Sequence, residues 1–228
     1  MKKWMGSYRE KDENLPYFSK FREFENHKIL LRREDIYGSG LPSDEVSTEA
    51  FNLIRRFAGK TVLDMGCGGG SYMRSLEQEG YVCKGIEIKR EYVEYCRAKD
   101  LDVVQMDAEE IGFAQASFDT VIMIEVLEHL EQPIQALRRA FHVARKNVLV
   151  SVPNIDVIPY LHRYGVVPWH LLEDTHLHFF TPKILDNCLQ QFASDTEVYY
   201  YAPFAPWVTE QQLSMQLFGV GSVGSTKV

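Results

Sequence analysis

The sequence predicts an α/β protein built on a seven-stranded, mostly parallel sheet with helices on both faces and an antiparallel hairpin at its C-terminal end. Three observations predict it. Short apolar runs alternate with amphipathic stretches from Lys60 to Pro153. The first run ends in a glycine-rich turn, Asp64-Met65-Gly66-Cys67-Gly68-Gly69-Gly70, that opens a helix. After the last helical stretch come two further apolar and aromatic runs, Thr196–Tyr201 and around Leu213–Gly219, parted by Pro203 and Pro206.

The elements follow in order. Ser47 is placed to cap a helix through Phe51, Leu53, Ile54 and Phe57, with Glu49 in its first turn, where a negative charge suits the helix dipole. Thr61–Met65 reads as the first strand and Ser71 to Gln78 as the helix after the turn. Tyr81–Ile88, Asp102–Met106 and Phe118–Ile124 read as strands two to four, with a helix Glu91–Ala98 between the second and third. Gln132–Ala144 carries Ile134, Leu137, Ala140 and Phe141 on one face, and Asn147–Val152 is the fifth strand, stopped by Pro153. A helix Pro182–Phe192 precedes the terminal pair of strands. Residues 1–48 form a charged, aromatic N-terminal segment of short helices, with Tyr8, Tyr17 and Tyr37 candidates for a lid. The domain proper is then 49–228, with 153–181 as the loop that receives the acceptor; Trp169, His170, Phe179 and Phe180 are its candidate walls.

Composition limits the function. No apolar run reaches the ~18 residues of a membrane span, and no secretory signal opens the chain. Cys67, Cys83, Cys96 and Cys188 show no metal or disulfide spacing and read as reduced thiols, so a cytoplasmic protein is expected. A net charge of −7 weighs against a nucleic-acid partner, despite basic residues at Arg138, Arg139, Arg145 and Lys146, and favours a small-molecule acceptor.

Glycines let a ligand lie against the main chain, and the amides opening the next helix can meet an anionic group. Glu87, at the end of the second strand, can accept both hydroxyls of a ribose. Asp107 can meet an adenine amino group, with the Ala108 amide near the ring; it can equally cap residues 108–111. With Val62-Leu63 before the turn, Gly85-Ile86-Glu87, Met106-Asp107-Ala108 and Phe118-Asp119-Thr120-Val121, the chain resembles the class I S-adenosylmethionine (SAM)-dependent methyltransferases over roughly residues 45–193. The resemblance implies a Rossmann-like fold. It implies Asp64, Gly66, Cys67, Gly68 and Gly70 at the methionine part of SAM, Glu87 with Ile88 at the ribose, and Asp107 with Ala108 at the adenine. The aspartate before the turn disfavours a dehydrogenase.

Glu125-Val126-Leu127-Glu128-His129 follows the fourth strand, where ligands of open α/β sheets sit. If the segment turns helically, Glu125, Glu128 and His129 share a face. They can then hold a divalent cation (Mg or Mn), or His129 can act as a base polarised by Glu128. The segment, with Ser151-Val152-Pro153-Asn154 and Asp174-Thr175-His176-Leu177-His178-Phe179-Phe180-Thr181-Pro182, resembles small-molecule O-methyltransferases of ubiquinone, polysaccharide and natural-product pathways. Glu125, Glu128, His129 and His176 are also similar to the metal ligands of small-RNA terminal 2′-O-methyltransferases. The alternatives are that Glu125 orients the SAM amino group and that His176 packs beneath its loop. His176 and His178 are further candidate catalytic groups. A non-catalytic SAM-binding partner subunit is the third functional class, and the intact motifs argue against it.

Overall fold

The computed structural model describes residues 46–163, 171, 175–204 and 213–224. The expected N-terminal lid with its tyrosines, and Trp169 and His170 of the acceptor loop, lie outside the described residues.

The first helix, α1 (Thr48–Phe57), is capped as its sequence predicts: Ser47 Oγ accepts the Ala50 N–H at 3.3 Å. Glu49 stands in the first turn and Arg55 and Arg56 in the last, each charge opposite the helix-end dipole it faces. Then follow β1 (Thr61–Met65), α2 (Ser71–Gln78), β2 (Val82–Glu87), α3 (Arg90–Arg97), β3 (Val103–Gln105) and β4 (Phe118–Ile124). A single 3-10 turn, Leu127–His129, leads to α4 (Pro133–Val143), whose proline at the first turn removes an N–H that no helix could satisfy there. The chain continues through β5 (Ala144–Pro153), α5 (Ile158–Arg163), α6 (Pro182–Gln190), β6 (Asp195–Phe204) and β7 (Leu213–Ser222).

The seven strands form one sheet in the order β3-β2-β1-β4-β5-β7-β6. β1 to β5 pair in parallel, and β7 runs antiparallel to both β5 and β6. The expected terminal hairpin is therefore present, and its strands run ten residues each because their full length pairs. β5 reaches past the expected Val152 because Pro153 aligns with Gln216 of β7 at the strand's end, where a missing N–H is tolerated.

Both faces of the sheet are covered, so central strands read as unbroken apolar runs. Val121, Met123, Val148 and Val150 pack on the side of α4 and α6. Ile122, Leu149 and Phe218 join Ile54, Met73 and Leu76 on the other. No helix of the described residues is long and apolar enough to cross a membrane. From β1 the chain proceeds to β2 and β3 in one direction and to β4 and β5 in the other. The crevice for a ligand opens at that reversal, outside the carboxyl ends of β1 and β4.

Candidate active site

At the end of β1 the backbone turns on three glycines with positive φ: Gly66 (78°), Gly68 (51°) and Gly70 (71°). The amides of Gly66 and Cys67 both donate to the Ile86 carbonyl, at 2.8 and 3.0 Å, which pins the turn to β2. A Cβ on Gly70 would lie 2.4 Å from Leu101 Cδ1, so this glycine is required by packing as well as by φ. A Cβ on Gly68 would meet nothing within 4 Å, because that residue faces open space.

The space is a cavity of about 460 Å³, within the range of small-molecule sites. Gly66, Gly68, Glu87, Ile88, Asp107 and Ala108 line one side, and Glu125, His129 and Thr175 stand at the other. Glu87 is buried and organises the wall: Oε2 accepts the Gly68 N–H and Oε1 the Lys89 N–H, both at 2.9 Å. Asp107 lines the cavity while its Oδ1 accepts the Glu109 N–H at 2.8 Å. Residues 108–110 form a turn there rather than a helix. Asp64, Cys67 and Gly70 are buried behind the turn and shape it from the core side.

Burial, and then the neighbouring Glu87 carboxylate, pushes the Asp64 carboxyl up from 3.8 to about 8. Burial likewise lifts Glu125 from 4.5 to about 7, against hydrogen bonds from Ser151 and Gln216 that lower it. Both folded-state values exceed the unfolded ones, so the native chain holds protons that the unfolded chain releases. The resulting stability is fully present below about pH 4 and is lost as pH rises through about 8. Denaturation titrations of the ligand-free protein should show a decline on the order of a few kcal/mol across that window. Asp64→Asn should make it shallower, and an unchanged slope would refute the assignment.

After β4 the chain departs from the helical expectation. Glu125 has φ 55°, a left-handed conformation that costs a non-glycine residue about 1 kcal/mol or more. Its amide donates to the Ser151 carbonyl at 3.0 Å and its carboxylate accepts the Ser151 hydroxyl, which in turn bonds Tyr201 Oη at 2.6 Å. The 3-10 turn starts only at Leu127, so Glu125 does not share a face with Glu128 and His129. The group that forms is Glu128, His129 and His176, with one donor atom from each lying within 4.8 Å of the others. His129 Nε2 is 4.0 Å from Glu128 Oε1, and the two imidazole centroids are 4.7 Å apart.

His176 reaches the group because the Leu177 and His178 amides donate to the Glu128 carbonyl, at 2.7 and 3.1 Å. Glu128 is 1% exposed, and neither carboxylate oxygen has a hydrogen-bond partner among the described residues. Burial first, and the Glu125 charge second, holds its carboxyl well above the usual range. His178 is not part of the group. It lines a larger cavity of about 560 Å³ between α4 and α6, with Phe179, Phe180 and Arg138. Local pattern gives no hint of Tyr201 or Thr175 at this site, whereas Ser151 stands out as the hydroxyl ending an apolar strand.

Comparison with known proteins agrees with this geometry. A methyltransferase-domain family model matches residues 41–192. The chain is 30% identical over 193 residues to the ubiquinone biosynthesis O-methyltransferase of Vibrio vulnificus, covering 76% of this chain and 80% of that protein. It is 28% identical to the protein of that name from Vibrio campbellii, covering 63% of this chain and 66% of the relative. Among solved structures, a SAM-dependent methyltransferase of Archaeoglobus fulgidus superposes with a TM-score of 0.65 at 19% identity, over 83% of this chain and 97% of the other. A possible histamine N-methyltransferase of Thermotoga maritima gives 0.61 at 14% identity, over 76% and 86%. The family match covers the glycine turn, the wall that holds Glu87 and the post-β4 group in one stretch, and the chain belongs to the methyltransferase-domain family as a SAM-dependent enzyme.

Proposed function

We propose that this enzyme methylates an oxygen of a small-molecule acceptor, and that Glu128, His129 and His176 prepare that oxygen for attack. The observation that carries the proposal is Glu128: a buried carboxylate whose oxygens have no hydrogen-bond partner among the described residues, set beside two imidazoles, of which His129 lines the donor cavity. SAM, when bound, supplies a methyl group on a positively charged sulfur. An amine or thiol then needs little beyond placement, whereas a hydroxyl, poorly ionised near neutral pH, gains from a base or a cation beside it. Two relatives carry O-methyltransferase in their names, in keeping with an oxygen acceptor.

For the donor we assign Glu87 to the ribose hydroxyls, Asp107 and Ala108 to the adenine edge, and Asp64 with the glycine turn to the methionine end. The Glu128–His129–His176 group suits either of two uses. His129 can take the acceptor proton with Glu128 stabilising the charged ring, or the three can hold a divalent cation. Two imidazoles and one carboxylate fit Mn²⁺ better than Mg²⁺, which prefers oxygen ligands. Glu125, whose Oε1 accepts the Ser151 hydroxyl, is not in that group of three.

Methyl transfer from labelled SAM to matched phenols, alcohols, amines and thiols, with chelator or added Mn²⁺, tests the proposal. Label should appear on hydroxyl compounds, with His176→Ala reducing turnover by about 10²-fold. Transfer confined to amines would remove the oxygen assignment, and turnover indifferent to chelator would remove the cation. RNA with a free 3′ end belongs in the panel because these three residues, together with Glu125, resemble a metal site for 2′-oxygen transfer. Label on RNA alone would displace the small-molecule reading, against which the net charge of −7 weighs. Turnover by the isolated chain would exclude the non-catalytic partner.

A further inference from the structure

We propose that Thr175 is a positioning residue that fixes the tautomer and orientation of His129, so that the Nε2 lone pair is presented to Glu128 and His176. His129 Nδ1 lies 3.2 Å from the Thr175 carbonyl oxygen and 2.9 Å from Thr175 Oγ1. A carbonyl has no proton to give, so the hydrogen of a neutral ring belongs on Nδ1, where it is donated to Thr175. The other tautomer would let Nδ1 accept the Thr175 hydroxyl, but it would set two lone pairs against each other across the carbonyl contact and aim an N–H into the group. With the hydrogen on Nδ1, Nε2 carries the lone pair on the side of Glu128 Oε1, 4.0 Å away. Hydrogen bonding at the second ring nitrogen is what fixes which nitrogen is left to act as base or ligand.

The fold supports this contact from two directions. The 3-10 turn sets the position of His129, and the two amides donated to the Glu128 carbonyl lay residues 175–178 along that turn. Thr175 also lines the donor cavity, so the anchor sits where His129 meets the reacting space. The inference rests on the proposed use of the Glu128–His129–His176 group, because base and ligand alike need the lone pair on Nε2.

Nitrogen-15 NMR of histidine-labelled protein, at a pH where the ring is neutral, reads the tautomer directly. The wild-type protein should show Nδ1 protonated and Nε2 bare, with one set of ring resonances. Thr175→Val keeps the carbonyl, so Nδ1 should stay protonated, but it loses the hydroxyl that fixes the ring's orientation, and its His129 resonances should broaden or double. Thr175→Ser should restore the single set. Mn²⁺ titrated into the same proteins and followed by electron paramagnetic resonance should bind about tenfold more weakly to Thr175→Val and within about twofold of wild type to Thr175→Ser. A wild-type ring protonated on Nε2 overturns the proposal, and so does a Thr175→Val ring indistinguishable from wild type. If wild-type protein binds no Mn²⁺, the cation use of the group fails, and the ring resonances alone decide the role of Thr175.

Discussion

Glu128→Leu is expected to stabilise the fold while reducing methyl transfer by about 10² to 10⁴-fold. The two effects have one cause. Glu128 is 1% exposed and its oxygens lack hydrogen-bond partners among the described residues, so the folded chain carries an uncompensated polar group. Leucine fills similar volume without that penalty, and a gain of about 1–3 kcal/mol corresponds to a melting point higher by roughly 2–12 °C. The gain should grow with pH: the Glu128 carboxyl is held well above its ordinary range by burial and by Glu125, so ionisation at higher pH costs the wild-type fold more. The same isolation makes the carboxylate available to a proton or a cation, so its removal takes away the chemistry proposed for the group. Thermal melts across pH and labelled-methyl assays on purified variants check both arms. A lower melting point, or turnover within about threefold of wild type, would mean that Glu128 is an ordinary structural acid.

A variant that separates stability from activity in this way reflects a wider division in the chain between what periodicity dictates and what tertiary context dictates. The alternation of apolar runs and amphipathic stretches was enough to place β1, β4, α2 and α4 nearly residue for residue, because burial on two faces leaves little freedom in those patterns. The glycine turn was legible because positive φ at three of its positions calls for glycine, and Glu87 because it ends the second strand beside that turn. The segment proposed to be catalytic was not legible in the same way. Helical spacing suggested one face for Glu125, Glu128 and His129, but the left-handed φ at Glu125 breaks the period after a single residue. That conformation is held by the carbonyl and hydroxyl of Ser151, a residue of another strand, and no local signal encodes it. His176 and His178 are two residues apart in sequence and yet are parted, His176 to the group with Glu128 and His129 and His178 to the larger cavity. In extended backbone, alternate residues share a side; it is the paired donation of residues 177 and 178 to one carbonyl that bends the segment and parts them.

Glu87→Ala is expected to weaken SAM binding by about 10²-fold or more, from two losses at once. The carboxylate is the proposed acceptor for the ribose hydroxyls, and it also receives the amides of Gly68 and Lys89 at 2.9 Å. Hydrogen bonds to a charged group contribute about 1.5–3 kcal/mol each, so losing the pair loosens the glycine turn as well as the wall of the cavity. Glu87→Gln separates charge from geometry. Glutamine keeps one acceptor oxygen, but its NH₂ would face whichever backbone N–H the other oxygen had accepted, placing donor against donor. Its SAM affinity should therefore fall nearly as far as that of the alanine variant. Both variants also remove the negative charge that helps to raise Asp64, so Asp64 should titrate at lower pH and the decline of stability between about pH 4 and pH 8 should become shallower. Calorimetric titration with SAM and denaturation at several pH values test the two consequences independently. Wild-type affinity in Glu87→Gln would show that the amides are held without the second oxygen. An unchanged pH slope would show that burial alone raises Asp64, and that Glu87 acts on the cofactor and the turn but not on the acid behind them.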